Sequence, residues 1–191
     1  RAVVGDVDRV FEMNRNFRNE GMDSSHSPEF TSLEAYEAYS DYNGMAELTR
    51  NLIQQAARDA FDLPEGQEIV TLADGTEYDL SGDWDHIDLY GSTSEALGEE
   101  ITVDTPREKL LKYADQIGIE VDDYAVNGKI VEDIFEELVA SKLWAPTFVY
   151  DFPEDTSPLT RYHRSRPGLT EKWDLYVRGF ETATAYSELA D

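Results

Sequence analysis

With 191 residues the chain is long enough for one domain with a real hydrophobic core, and having no cysteine it cannot form disulfides or thiolate metal sites. Its 41 acidic and 16 basic residues give a formal net charge of −25, the wrong sign for general affinity to nucleic acid. Only 40% of the residues are hydrophobic, with no long apolar run, so neither a membrane span nor a signal peptide is expected and a cytoplasmic location is the plain reading.

Arg1 to Val4 followed by Gly5 reads as the last turn of a helix and its stop. The next stretch alternates with period two: Glu12, Asn14, Asn16 and Arg18 on one face, Phe11, Met13, Arg15 and Phe17 on the other. One face is expected to pack and the other to work. After a polar loop, a second strand from Phe30 puts Phe30, Ser32, Glu34 and Tyr36 on one face and Thr31, Leu33 and Ala35 opposite. Paired as a hairpin, the two polar faces would share one side of a sheet.

Met45, Leu48, Leu52, Ile53, Ala56, Ala57 and Ala60 recur at helical spacing, predicting a helix over 43–61. Ile69–Leu72 and Glu77–Leu80 flank Asp74-Gly75 and predict a hairpin. Between Asp59 and Pro106 there are fourteen carboxylates and no Lys or Arg. This acidic stretch reads as a solvated surface, and its weakly patterned part, 81–105, as a candidate insertion with no assignable chemistry.

Thr105-Pro106 starts a helix with a stripe of Leu110, Leu111, Ala114 and Ile117, ended by Gly118. A second helix over 127–143 carries Ile130, Val131, Ile134, Phe135, Leu138 and Val139, with an outward acidic face at Glu132, Asp133, Glu136 and Glu137. Residues 146–152 read as a strand bounded by Pro153. Arg161, His163, Arg164, Arg166, Lys172 and Arg178 cluster within eighteen residues, the place where phosphate or nucleic acid would dock if anywhere.

Two groups of residues carry chemistry. Arg18 suits bidentate recognition of a carboxylate or phosphate, and Phe30 could stack a flat base. The bland alternative makes Arg18 and Glu20 a surface ion pair worth about 0 to 1 kcal/mol and Phe30 a core residue. Asp174, Glu181 and Glu188 are spaced by seven, and a turn at Arg178-Gly179 would bring Asp174 near Glu181 across two strands. Such like charges are unfavourable unless a cation such as Mg²⁺ lies between them, and paired surface carboxylates are the alternative.

The run NRNFRNEG followed by HSPEFTSLEAY closely resembles motif 2 of class II aminoacyl-tRNA synthetases, in particular the lysyl branch. The resemblance continues through a PTFV strand, an SPL loop and TEKWDLYVRGFE, and the basic TRYHRSRPG loop resembles an actinobacterial type. It implies an α+β fold, the antiparallel sheet of the class II catalytic domain with flanking helices, incomplete at both ends. Arg18 would bridge the ATP α-phosphate and the amino-acid carboxylate. Glu20 and His26 would meet the nucleotide, Phe30 would stack adenine, and Glu34 and Tyr36 would hold the amino acid. Asp174 and Glu181 fall on the family's metal positions, with Mg²⁺ accompanying ATP. Glu188 falls on the carboxylate that meets the lysine ε-ammonium, and is expected to be buried. Asp174 stands where Glu is common, Ala185 where Gly is frequent and Ala190 where Asn is frequent.

By the same resemblance the complete enzyme is a homodimer that activates lysine with ATP and transfers it to tRNA(Lys). Motif 1, motif 3 and an N-terminal anticodon-binding barrel are not among these 191 residues, so 1–191 is expected to be a partial catalytic domain, weakly active or inactive alone. Two other readings are a truncated, non-catalytic homologue that binds ATP or lysine or acts as an interaction module, and a paralogue that lysylates protein. NRNFRNEG favours the tRNA enzyme over the last.

Overall fold

Alternation over the first strong pattern gives two antiparallel strands, β1 (Arg9–Phe17) and β2 (Glu29–Glu37), in a register that runs from Arg9 opposite Glu37 to Phe17 opposite Glu29. Glu12 therefore faces Glu34, Asn14 faces Ser32 and Asn16 faces Phe30, so the polar faces share one side as the sequence predicts. Phe11, Met13 and Phe17 on the other side are exposed rather than packed, because a two-stranded ribbon supplies no second layer of its own. Among the described residues before β1, Val3–Gly5 form a single 3-10 turn, and the left-handed position falls on Asp6 (φ 63°) instead of Gly5. A short polar side chain tolerates that conformation.

The computed structural model describes residues 1–19, 21–22 and 26–189, and its chain divides into two units, Arg1–Asp41 and Tyr42–Asp191. The second unit opens with α1 (Tyr42–Phe61), whose start and length match the apolar spacing. The hairpin β3 (Ile69–Thr71) and β4 (Glu77–Asp79) follows, turning through Gly75 at φ 86°. Then come β5 (Asp85–Asp88), α2 (Leu89–Leu97), α3 (Arg107–Gln116), α4 (Asn127–Leu138), β6 (Thr147–Pro153), β7 (Leu169–Val177) and β8 (Phe180–Tyr186).

Strands β5-β6-β7-β8 form one sheet in that order. Its β6–β7 and β7–β8 pairs are antiparallel, whereas β5 runs parallel to β6. Arg178 and Gly179 both have positive φ, 57° and 78°, the backbone of a two-residue hairpin turn that matches strand twist. Every residue of β6 is buried, as a central strand covered on both faces requires. On one face Phe148, Tyr150, Trp173 and Leu175 pack with α1 and the β3–β4 hairpin; on the other, Val149, Phe152 and Tyr176 pack with α2, α3 and α4.

Two elements differ from the sequence reading. The weakly patterned 81–105 stretch holds β5 and α2, with Trp84, Leu89, Tyr90 and Ile101 in the core. Its helix is short, capped by Asp88 accepting from the Gly91 N–H at 2.8 Å and stopped at Gly98 (φ 72°), and Gly and Ser dilute its stripe. The helix expected to reach residue 143 ends at Leu138, and Ala140–Lys142 continue as a tighter 3-10 turn.

Candidate active site

The first group of predicted residues lies on the β1–β2 hairpin. Arg18 extends the ladder, its N–H donating to the Pro28 carbonyl at 3.0 Å, and its guanidinium carbon sits 5.4 Å from the centre of the Phe30 ring. An aromatic face lined by a planar cation suits a flat, anionic ligand. Further along the same face the Tyr36 hydroxyl donates to Glu34 at 3.2 Å, and Glu34 lies directly opposite Glu12. Two carboxylates placed so oppose each other unless a cation joins them. Asn16 and Ser32 are bonded to each other between the Phe30 end and the Glu34 end, which fixes the spacing of the two. His26 is exposed in the connecting loop, and Glu20 lies outside the described residues.

The second group lies in the Tyr42–Asp191 unit. Asp174 and Glu181 are on adjacent strands, but the two-residue turn at Arg178-Gly179 sets a register in which they do not face each other: Asp174 opposes Thr184, and Glu181 opposes Tyr176. Both carboxylates lie near enough to Tyr176 for their charges to act on it. Burial pushes the Tyr176 phenol up, and the negative charges of Glu136, Asp174 and Glu181 push it further. Asp174 is buried at 4% exposure, with one carboxylate oxygen taking the Lys172 ammonium at 3.0 Å and the other, Oδ1, buried without a hydrogen-bond partner. Among the described residues no three His, Asp or Glu side chains are placed to hold a metal ion together.

Glu188 is exposed, contrary to the expectation of a buried carboxylate. β8 ends at Tyr186, and the next residue, Ser187, turns inward to accept the Tyr42 N–H at 3.1 Å. Alternation then sends Glu188 outward, where its backbone bridges to Thr160.

The basic cluster is largely engaged by carboxylates of its own unit. Arg164 meets buried Glu171 at 3.1 Å, Arg166 meets Asp151 at 2.5 Å and Asp88 at 3.6 Å, and His163 lies 3.6 Å from Asp151. Asp151 also accepts the Tyr42 hydroxyl at 3.1 Å, and burial with that nearby charge pushes the Tyr42 phenol up. Asp151 and Asp88 come from a strand and a helix cap outside the cluster, so local reading shows these cations without those partners. A cleft of about 370 Å³ opens at the start of α2, between Asp88, Ser94, Thr102 and Arg166; none of the residues predicted for ATP, lysine or metal lines it.

Of the helix residues expected to face outward, Glu132 is half-buried and accepts the Thr156 hydroxyl at 2.6 Å, whereas Glu136 is exposed as expected and accepts the Tyr176 hydroxyl at 3.3 Å. Burial holds the Glu132 carboxyl above its ordinary range, against the downward pull of the Thr156 hydroxyl and the Lys172 ammonium. A carboxyl raised in the fold costs stability once the pH passes its unfolded value of about 4.3, and costs nothing below that. Glu132→Gln, which keeps an acceptor for Thr156, is therefore expected to raise the unfolding midpoint at neutral pH and to leave it unchanged below about pH 4. Circular dichroism melts at the two pH values check this, and an equal effect at both would contradict it.

The family described as class II tRNA synthetases (D, K and N) matches residues 1–191. The chain is 59% identical over 192 residues to the lysine–tRNA ligase of Kineococcus radiotolerans and 60% identical over 193 residues to that of Mycolicibacterium gilvum, in each case all of this chain and 38% of the relative. It is also 47% identical over 191 residues to a lysylphosphatidylglycerol biosynthesis bifunctional protein, LysX, of Gordonia bronchialis, all of this chain and 17% of that protein. The chain thus spans well under half the length of these relatives. The α+β fold, the Arg18–Phe30 face and a family match along its whole length agree: this chain belongs to the class II tRNA synthetases.

Proposed function

We propose that this chain is the ATP- and lysine-binding part of a lysine–tRNA ligase, which converts lysine and ATP to lysyl-adenylate and pyrophosphate and then passes the lysyl group to tRNA(Lys). The observation that carries the reading is the hairpin register, which gives one surface an aromatic plate and guanidinium at one end and a carboxylate with a phenol at the other.

In this reading adenine lies on Phe30, and His26 and Glu20 meet the nucleotide. Arg18 holds the lysine carboxylate against the α-phosphate. A carboxylate oxygen attacks the α-phosphorus, pyrophosphate leaves, and Arg18 offsets the charge that builds on the phosphoryl oxygens. A terminal hydroxyl of the tRNA then attacks the lysyl carbonyl and AMP departs. Glu34 and Tyr36 hold the amino acid, and Glu188 meets its ε-ammonium. The exposure of Glu188 in the free chain gives the ammonium a carboxylate it can reach without breaking an internal contact.

Mg²⁺ accompanies ATP and would be held by Asp174 and Glu181. The residues fit it: Asp174 has a buried, unpartnered oxygen, and Mg²⁺ is commonly bound by one or two carboxylates with phosphate and water completing its shell, so a third protein ligand is not needed. Bound there, it supplies charge neutralisation for the phosphates. The complete enzyme acts as a cytoplasmic homodimer, and among the described residues no helix is long and apolar enough to cross a membrane.

Matched non-hydrolysable adenylate analogues test the reading. An analogue with a lysyl group is expected to bind this chain roughly tenfold or more tighter than one with norleucyl, which has the same chain without the ammonium, because an unpaired carboxylate forfeits a charge-assisted contact of about 1.5 to 3 kcal/mol. Equal binding would contradict lysine selection.

A further inference from the structure

Lys172 lies two residues before Asp174 on the same face of β7, and its ammonium is 3.0 Å from the Asp174 Oδ2. The same nitrogen is 3.9 Å from the centre of the Phe152 ring. Glu132 of α4 feels both charges, its carboxyl lowered by Lys172 (and by Lys129) and raised by Asp174, so this amine is one cation set among the carboxylates on the α4 side of the sheet. Asp174 nevertheless keeps Oδ1 buried and unpartnered. A buried carboxylate oxygen without a partner calls for a donor or cation to satisfy it, and at Asp174 it lies on the residue read as a divalent-cation ligand.

We infer that Lys172 is a tethered counter-cation that holds the Asp174 carboxylate between catalytic cycles and is displaced when a divalent cation binds. The inference rests on the reading of Asp174 and Glu181 as the divalent-cation site. An ammonium and a dication on the two oxygens of one carboxylate repel each other strongly in a site shielded from water. The lysine is the mobile partner: its side chain is 23% exposed, and its four-carbon stem lets the amine swing to solvent along Phe152. Cation binding by this chain is then an exchange, with affinity lowered by the work of removing the amine. That exchange gives the free chain a neutralised, folded site in the absence of nucleotide.

The direct test uses the unmodified chain. Amines are labelled with an activated ester, with and without saturating Mn²⁺, and each lysine is followed by peptide mass spectrometry. Labelling of Lys172 is expected to rise by about threefold or more on Mn²⁺ addition, because an ion-paired, π-bound amine is being freed. Exposed Lys112 on α3 serves as the control and stays constant. In parallel, Mn²⁺ affinity is read by electron paramagnetic resonance: Lys172→Met is expected to bind roughly fivefold or more tighter, and Asp174→Asn to lose the bound ion. If Mn²⁺ binds and Asp174→Asn abolishes it, but Lys172 labelling does not change, the exchange is wrong and the metal site stands. If neither the wild type nor Lys172→Met binds Mn²⁺, both are wrong. Should Lys172→Met fail to fold, the labelling of the wild type decides alone.

Discussion

Arg18→Ala is expected to weaken binding of a non-hydrolysable lysyl-adenylate analogue by roughly 10- to 150-fold, the loss of about 1.5 to 3 kcal/mol that accompanies a charge-assisted contact. The site predicts that Arg18→Lys restores little of it. A lysine keeps the charge but has no planar fork to span a carboxylate and a phosphate at once, and it cannot lie flat beside Phe30. Stability should change little in either variant, because Arg18 is exposed and holds the hairpin through its backbone N–H, which every side chain at that position retains. Calorimetry with the three proteins checks this. An alanine variant that binds as tightly as the wild type would remove Arg18 from the site.

Trp173→Ala carries the largest expected effect on folding. Trp173 is 1% exposed, meets Phe148 edge-on with ring centres 4.8 Å apart, and donates its indole N–H to the Tyr42 carbonyl at 2.7 Å. Truncating it empties the layer between α1 and the sheet, at a cost of about 3 to 5 kcal/mol. The Tyr42 carbonyl, at the first turn of α1, loses its indole donor as well. Against a total stability of about 5 to 15 kcal/mol, the variant is expected to unfold at a much lower urea concentration and to be partly unfolded at 37 °C if the wild type is marginal. Trp173→Phe keeps most of the packing and loses the hydrogen bond, so its midpoint should fall between the two. A midpoint for Trp173→Ala close to the wild type would mean the layer collapses to fill the space.

The residues that were legible in sequence are those whose signal is local. Period two over Glu12–Arg18 and Phe30–Tyr36 determines which side chains share a face, and the observed register puts the two polar faces on one side. Asp74-Gly75 and Arg178-Gly179 mark their turns by chemistry that needs positive φ. What sequence could not show depends on partners far along the chain. The shift at Leu175–Tyr176 is written in ordinary apolar residues, so nothing announces that Asp174 will oppose Thr184. Glu132 lies where a helix normally meets water, and only Thr156, brought up by the turn after β6, makes it a half-buried acceptor. Glu188 keeps the alternation of β8 one residue past buried Ser187 and so faces out. The α2 helix was hidden by its own composition, since Gly91, Ser92 and Ser94 break the stripe that Leu89, Tyr90 and Thr93 provide in space.

The same contrast explains the charge pattern. A cluster of Arg and His at 161–166 looks like a surface for phosphate, yet Asp88, Asp151 and Glu171 spend much of it inside the unit, where it ties the loop before β7 to the sheet. On the hairpin, Arg18 is exposed and its guanidinium carbon lies 5.4 Å from the centre of the Phe30 ring.

The account turns on whether Glu188 reads the lysine ammonium, and a two-by-two titration measures that alone. Lysyl and norleucyl adenylate analogues are titrated into the wild type and Glu188→Gln by calorimetry with Mg²⁺ present. A preference for the lysyl analogue of about tenfold or more in the wild type, reduced to near unity in Glu188→Gln, is the predicted result, because the coupling belongs to one charge pair. A preference that survives unchanged in Glu188→Gln, or that is missing from the wild type, would contradict the assignment of this carboxylate and with it the proposed selection of lysine.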